Sequence, residues 1–318
     1  MVESWKLEIL GCNECGGKLE QRDNTMTCRE CGKKFEYMNG ILFANEISTA
    51  SKETFDFYNK SGGTSLLERS LNPESTSYYE TKAYYKYLTE TFSTIDKKAI
   101  VLDLGCGDGR NTKWLVSQGY RKIVAVDIVP QGIIKYKNTI SKTDQSKILF
   151  INSDILNLPL GRNRLDVVLA IEVMYYLGQN YEGGLDILRD LLKPHGFLFC
   201  SEATLEGALL YELVSHNIKE FIETWEDKKK FERGPKGSSI RSRVFEYGEV
   251  NKILEKKGFH VEEWFGVSAF PNLAINSLKQ SDCKMSEELK KNLEIMTEKR
   301  LQPFRCIFYK ARKRTVEP

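Results

Sequence analysis

Val101-Leu102-Asp103-Leu104-Gly105-Cys106-Gly107-Asp108-Gly109-Arg110 decides how this chain is read. An apolar run ends in a carboxylate, a glycine-rich turn follows, and a helical pattern opens at Arg110. Glycines at such a turn let the backbone approach a ligand closely, and a helix N-terminus favours an anion. Three details narrow the ligand. The third glycine falls one place early for the dinucleotide fingerprint, because position 110 is Arg. Asp103 stands two residues before the first glycine, where a carboxylate suits an ammonium group better than a pyrophosphate. Asp127 ends the next apolar run, twenty positions after Gly107, where a carboxylate can accept hydrogen bonds from a ribose diol. An amino acid at one end and a ribose at the other describe S-adenosylmethionine better than NAD.

Outward from the motif, short apolar runs alternate with amphipathic segments. Predicted strands are Ala99–Leu104, Lys122–Asp127, Lys147–Asn152, Leu165–Ala170 and Gly196–Ser201. Predicted helices are 110–118, 130–141 and 181–193, the last with Leu185, Leu188, Leu191 and Leu192 on one side and a stop at Pro194. Continuous β-branched and leucine-rich strands are expected where helices cover both faces of a parallel sheet. Such alternation means a doubly wound α/β sheet, with ligands outside the strand C-termini. Gly258–Val267 and Phe304–Ala311 read as two final strands, and Ser286 with Glu287 and Glu288 starts a helix between them.

The segment from Val101 to Arg110 resembles the signature of class I S-adenosylmethionine-dependent methyltransferases. The resemblance continues in order through four further stretches: Val124-Ala125-Val126-Asp127, Asn152-Ser153-Asp154-Ile155 with Leu158-Pro159-Leu160, Asp166 to Val173, and Leu188 to Gly196. Where the family usually has Gly, this chain has His195. The resemblance implies a seven-stranded mixed sheet with a reversed C-terminal strand. It also implies that Gly105 and Gly107 cradle the methionine moiety, Asp127 holds the ribose, Ile128 and Ile155 sandwich the adenine, and Asp154 accepts from its amino group. Asp103, Cys106 and Glu172, at the acidic end of strand four, complete the candidate cofactor set. Strand four lacks the Asn/Asp-Pro-Pro-Tyr/Phe ending of many exocyclic-amine methyltransferases. Its Glu172-Val173-Met174-Tyr175-Tyr176-Leu177 resembles the quinone-biosynthesis and small-molecule branch.

Four of the eight cysteines lie in the first 31 residues, as Cys12-Asn-Glu-Cys15 and Cys28-Arg-Glu-Cys31. Two such pairs separated by twelve residues, each followed by glycine, form a strong metal signature. Four thiolates around one ion leave no open position, so the expectation is a structural zinc ribbon, with rubredoxin-like iron as the alternative. The stretch from Leu10 to Phe43 resembles the small zinc-ribbon protein that partners nucleic-acid and protein methyltransferases, and the N-terminal zinc site of an rRNA guanine methyltransferase family. Cys106, Cys200, Cys283 and Cys306 are isolated.

The 318 residues fit one large domain and a small one. We divide them into a ribbon (1–47), an aromatic-rich helical lead-in (48–97) and a cofactor-binding methyltransferase domain (98–318) with a mostly helical lid at about 203–245. Net charge is only +3, so no strongly basic face is evident, and no apolar run is long enough to span a bilayer. Met1-Val2-Glu3-Ser4-Trp5 lacks the features of a signal peptide, and a cytoplasmic location with reduced thiols is the expectation.

The acceptor is less legible. A sulfonium is already a good leaving group, so positioning the acceptor provides most of the acceleration. A general base is needed only where the nucleophile keeps its proton near neutral pH. Tyr175, Tyr176 and His216 are the candidate catalytic residues. Tyr211, Trp225, Arg241 and Arg243 are candidate substrate contacts in the lid, and Phe57, Tyr58 and Tyr79 are candidates to close over the cofactor. The favoured acceptor is a small molecule of specialised or quinone type, taking the methyl on O, N or C. RNA (rRNA or tRNA) is the alternative, supported by the ribbon and by Lys310-Ala311-Arg312-Lys313-Arg314. A non-catalytic cofactor-binding scaffold and protein methylation are the remaining readings. Oligomeric state is not encoded in any motif.

Overall fold

The computed structural model describes residues 3–44, 46–62, 65–233, 239–280, 284–300 and 302–315. Cys283 lies outside them. The N-terminal part holds helix α1 (Ser4–Ile9) and strands β1 (Leu19–Arg22), β2 (Thr25–Cys28), β3 (Lys34–Met38) and β4 (Ile41–Ala44). Helices α2 (Lys52–Lys60), α3 (Leu66–Arg69) and α4 (Thr76–Phe92) follow. The alternating part comprises β5 (Ile100–Leu104), α5 (Arg110–Ser117), β6 (Lys122–Asp127), α6 (Pro130–Thr139), α7 (Lys142–Ser146), β7 (Ile148–Ser153), β8 (Leu165–Ile171), α8 (Tyr181–Leu191) and β9 (Leu192–Ala203). An insertion then carries α9 (Leu205–Val214), α10 (Ile218–Asp227) and a hairpin of β10 (Lys229–Arg233) and β11 (Ser239–Arg243). The chain closes with α11 (Glu249–Lys256), β12 (Phe259–Ser268), α12 (Phe270–Gln280), α13 (Glu287–Glu298) and β13 (Phe304–Lys313). None of the described helices is long and apolar enough to cross a membrane.

The expected seven-stranded sheet is corrected to eleven strands, in the order β1-β2-β3-β4-β7-β6-β5-β8-β9-β13-β12. From β7 to β12 the order is the doubly wound one, with β13 antiparallel to both β9 and β12. The other four strands come from the N-terminal segment, because β4 pairs in parallel with β7, Ile41 opposite Phe150 and Ala44 opposite Ser153. Without β4, the edge of β7 would leave a row of backbone N–H and C=O groups unpaired. The insertion is mostly helical as expected, α9 and α10 being followed by the β10–β11 hairpin.

Alternation along the strands builds two apolar layers. Leu102, Leu104, Val124, Val126, Val168 and Ala170 enter one layer, and Val101, Ile123, Ala125, Val167, Leu169 and Ile171 enter the other. The first layer is capped by Leu185, Leu188 and Leu191 of α8, each buried side chain contributing about 1.5–3 kcal/mol. It also takes in Cys12, Leu19, Met26, Phe35 and Leu42 of the N-terminal segment, which shares the main core. The second layer is covered by Tyr84, Tyr87, Leu88 and Phe92 of α4.

Candidate functional site

Strand order reverses at β5, and the crevice beyond the C-terminal ends of β5, β6, β7 and β8 is the cavity of interest. Its volume is about 100 Å³. Gly105, Gly107, Asp127, Ile128, Asp154, Ile155 and Glu172 line it, as does Tyr176. Gly105 has φ +71, and a Cβ there would lie 2.7 Å from the Val173 side chain, so only glycine leaves this wall open.

Asp127 faces the cavity with its carboxylate fixed: one oxygen accepts from Gly107 N–H at 2.8 Å and the other from Val129 N–H at 2.8 Å. Burial pushes its pKa up to about 6, against the pull of those two hydrogen bonds. Asp103 is fully buried and does not line the cavity. It accepts from Thr112 Oγ1 at 2.5 Å, its second oxygen has no hydrogen-bond partner among the described residues, and burial pushes it to about 6 as well. Cys106 is likewise buried in the second apolar layer and outside the cavity lining. Its contribution is a backbone bond to Val126 O at 2.8 Å that ties the glycine turn to β6.

Asp154 is bound more tightly than the sequence suggested. It accepts from Ser48 N–H at 2.8 Å, Ser51 Oγ at 2.8 Å and Leu156 N–H at 3.0 Å. The start of α2 is thereby fastened over the β7 end of the crevice, and Ser51, Thr54 and Tyr58 form part of its lining. Asp108 does the same for α3, accepting from Leu67 N–H at 3.0 Å. Of the aromatics expected to close over the cofactor, Tyr58 reaches it. Phe57 and Tyr79 are buried without lining the cavity, Tyr79 packing with Ile275 and Leu293.

A second cavity of about 340 Å³ adjoins the first, sharing Tyr58, Leu66, Glu172 and Tyr176 as a common wall. Lid residues 203–232 roof it, together with Glu80, Asn272 and Arg305. Tyr175 and Tyr211 line it; Lys230 Nζ lies 4.3 Å from the Tyr175 ring. The lid's other candidates are placed elsewhere. His216 is exposed at the end of α9, Trp225 is exposed, Arg241 pairs with Asp227 at 2.9 Å and Arg243 with Glu249 at 2.7 Å. None of these four lines either cavity.

Charged residues that the sequence reading missed dominate this second cavity. Arg305, from β13, bridges Glu80 at 2.9 Å and Glu172. Burial would raise Glu172, but the Arg305 guanidinium outweighs it and holds the carboxyl well below the usual range. Glu80, deeper and also opposed by Glu172, goes up, chiefly through burial. Glu172 has φ +58, a strained backbone for a non-glycine residue, which turns its carboxylate between the two cavities. Glu80 left one signal in the sequence: it is a carboxylate on the same helical stripe as Tyr84 and Tyr87. Arg305 and the hairpin residues left none, because their neighbours are far apart in the chain.

The four paired cysteines also meet. Their sulfurs all lie within 4.8 Å of one another, with Cys12–Cys31 at 3.6 Å and Cys15–Cys28 at 3.5 Å. A tetrahedral zinc with bonds of about 2.3 Å requires sulfurs about 3.8 Å apart. Each knuckle makes the same turn: Gly16 N–H donates to Cys12 O and Gly32 N–H to Cys28 O, both glycines at φ +74.

Residues 101–196 match the family model described as a methyltransferase domain. A ubiquinone biosynthesis O-methyltransferase of Rickettsia akari (strain Hartford) is 26% identical over 237 residues, covering 74% of this chain and 86% of that one. Among solved structures, the Burkholderia thailandensis 1,6-didemethyltoxoflavin-N1-methyltransferase, with its acceptor and S-adenosylhomocysteine bound, is similar at TM-score 0.53 and 14% identity. That alignment covers 90% of this chain and 98% of that chain. A SAM-dependent methyltransferase of Methanosarcina mazei aligns at TM-score 0.52 and 14% identity, over 71% of this chain and 98% of its own. The fold is that of class I methyltransferases. The chain is an S-adenosylmethionine-dependent methyltransferase.

Proposed function

We propose that the protein methylates a hydroxyl group of a small aromatic acceptor, of quinone-biosynthesis type, held in the cavity roofed by the lid. One observation carries this reading. The second cavity is of about 340 Å³ and opens onto the cofactor crevice through a wall of only a few side chains. That volume is at the small end for ligand pockets and suits a single ring with substituents. The name of the Rickettsia relative points the same way.

In this reading Gly105 and Gly107 cradle the methionine part of S-adenosylmethionine. Asp127 accepts from the ribose diol, Ile128 and Ile155 flank the adenine, and Asp154 orders the loop at its edge. The residues present fit the cofactor: the carboxylate of Asp127 faces the crevice, and the Gly105 wall admits no side chain. Bound there, the cofactor supplies an activated methyl group on a sulfonium. Glu172 sets a fixed negative charge at the wall between donor and acceptor, and Arg305 keeps that charge in place. Asp103 and Cys106 shape the glycine turn from behind. Tyr176 stands at the common wall and Tyr175 within the acceptor cavity. Cys12, Cys15, Cys28 and Cys31 hold one structural zinc ion, and the division into ribbon (1–47), lead-in (48–97) and catalytic domain (98–318) stands as our assignment.

The basic C-terminal stretch counts against RNA as the acceptor. Lys310 pairs with Glu262 at 3.1 Å and Glu263 at 3.3 Å, while Arg312 pairs with Glu262 and Arg314 with Glu255. These charges offer little net field to phosphates. The test is methyl transfer from labelled cofactor to a panel of catechols and hydroxybenzoates, with total RNA in parallel. Label in the phenols supports the proposal. Label only in RNA sinks it.

A further inference from the structure

Three oxygens from distant parts of the chain meet at the wall shared by the two cavities. Tyr58 Oη lies 2.5 Å from Tyr176 Oη, and Tyr176 donates to Glu232 Oε2 at 2.6 Å. Tyr58 Oη is 3.4 Å from the same carboxylate oxygen. The other Glu232 oxygen is held by Lys230 Nζ at 2.9 Å and Ser242 Oγ at 3.3 Å. Both tyrosines line both cavities, and Glu232 lines the acceptor cavity from the β10–β11 hairpin. With Tyr176 committed as donor to Glu232, its oxygen accepts from Tyr58, and the Tyr58 oxygen keeps a lone pair for a further donor. A lid could close this wall with apolar side chains. A half-buried carboxylate beside two phenols that meet edge to face is costly unless the polar groups are used or fully paired.

We propose that Glu232 is the terminal proton acceptor of the methyl transfer, reached from the acceptor hydroxyl through Tyr58 and Tyr176. This rests on the hydroxyl-acceptor reading. The acceptor oxygen forms its bond to the methyl carbon as the carbon–sulfur bond breaks, leaving its electron pair on sulfur. The hydroxyl proton passes to the Tyr58 oxygen, the Tyr58 proton to Tyr176, and the Tyr176 proton to Glu232. One positive charge on sulfur and one negative charge on the carboxylate disappear together, and the proton returns to solvent between turnovers. The charged and titratable groups facing Glu232 include Lys230 on its own strand, Glu172 with Arg305 beyond β8, the buried phenol of Tyr175, and the phenols of Tyr58 and Tyr176. Burial would raise Glu232, but Lys230 and the Tyr176 hydrogen bond outweigh it, so the carboxyl lies below the usual range and is ionised at neutral pH. Burial holds both phenols well above their ordinary value, so they pass protons without storing charge.

The experiment compares the full-length wild type with Glu232→Gln, Glu232→Asp and Tyr176→Phe. It uses catechol and 4-nitrocatechol, the latter already largely ionised at about pH 8. For catechol, Glu232→Gln should lower kcat by roughly 10²–10⁴-fold with KM moved less than about threefold, and Glu232→Asp should restore part of the loss. For 4-nitrocatechol the loss should stay below about fivefold, because little proton remains to be moved. The acid limb of the wild-type kcat profile for catechol should be missing in Glu232→Gln. Equal losses with both acceptors, or no loss, would overturn the relay. A second readout needs no turnover. In ¹³Cζ-tyrosine NMR spectra with S-adenosylhomocysteine bound, Glu232→Gln should bring the ionisation of Tyr58 and Tyr176 to lower pH, and Tyr176→Phe should shift the Tyr58 signal. Unmoved signals overturn the proposal. Should the wild type methylate neither catechol, the hydroxyl-acceptor reading fails by itself, and the NMR result still decides whether the three groups are coupled.

Discussion

Asp127 holds the glycine turn and faces the crevice at once, since both its oxygens already accept backbone N–H groups. A carboxylate has about four acceptor sites, so it can also take a diol. Asp127→Asn should weaken S-adenosylhomocysteine binding by about 1.5–3 kcal/mol, roughly 10–150-fold, measured by calorimetry. An unchanged Kd would remove the ribose assignment. Asp103 makes a different prediction, about pH. Its pKa rises from 3.8 to about 6 because the site is fully buried. A carboxyl raised in the folded state contributes stability that is complete below its unfolded value and lost as pH climbs through about 6. Asp103→Asn removes that loss, which is on the order of 2–3 kcal/mol. Its Tm relative to wild type should therefore be higher at about pH 8 than at about pH 4.5. A difference independent of pH would mean that Asp103 is ionised throughout.

At the scale of elements, α2 and the β10–β11 hairpin are held over the site by polar contacts rather than by a large apolar seam. Ser48 and Ser51 fasten α2 to Asp154, and Tyr58 reaches the hairpin's Glu232. Elements held this way open at lower free energy than the core strands, which suits segments that must admit cofactor and acceptor. The four-cysteine knuckles are the opposite case. Their strands are only four or five residues long, so on the zinc reading a bound metal adds to the stability that Leu19, Met26, Phe35 and Leu42 gain by packing in the main core. Purified protein should carry about one zinc per chain. Cys15→Ser, at an exposed corner of the cluster, should lose the metal and lower Tm by several degrees. A metal-free wild type with unchanged Tm after chelation would argue that the cysteines are not a zinc site.

The N-terminal segment and the alternating part share one eleven-stranded sheet. β4 pairs with β7, and Leu19, Met26 and Phe35 sit in the same apolar layer as Leu102 and Val124. The N-terminal segment should therefore not melt as a separate unit. Scanning calorimetry should show a single transition, and chelation should move that transition downward as a whole. A small early transition that leaves the main one in place would contradict this coupling. For the same reason, deletion of residues 3–44 should bare the β7 edge and give aggregated protein, read by gel filtration.

Much of this was legible in the sequence because it is local. The β5 turn, the acidic ends of β6 and β7 and the leucine stripe of α8 each show within a dozen residues, and the cysteine knuckles announce their own geometry. The strand alternation was readable because both faces of the sheet are covered, which makes every strand continuously apolar. Tertiary structure decided the rest. Pairing of Ile41–Ala44 with Ile148–Ser153 spans about a hundred residues and has no local signature, so seven strands became eleven. The second cavity draws Tyr58, Glu80, Tyr176, Glu232 and Arg305 from five separate segments. A charged side chain reads as solvated surface until its partner is known, and only folding brings Glu80, Glu172 and Arg305 within reach of one another.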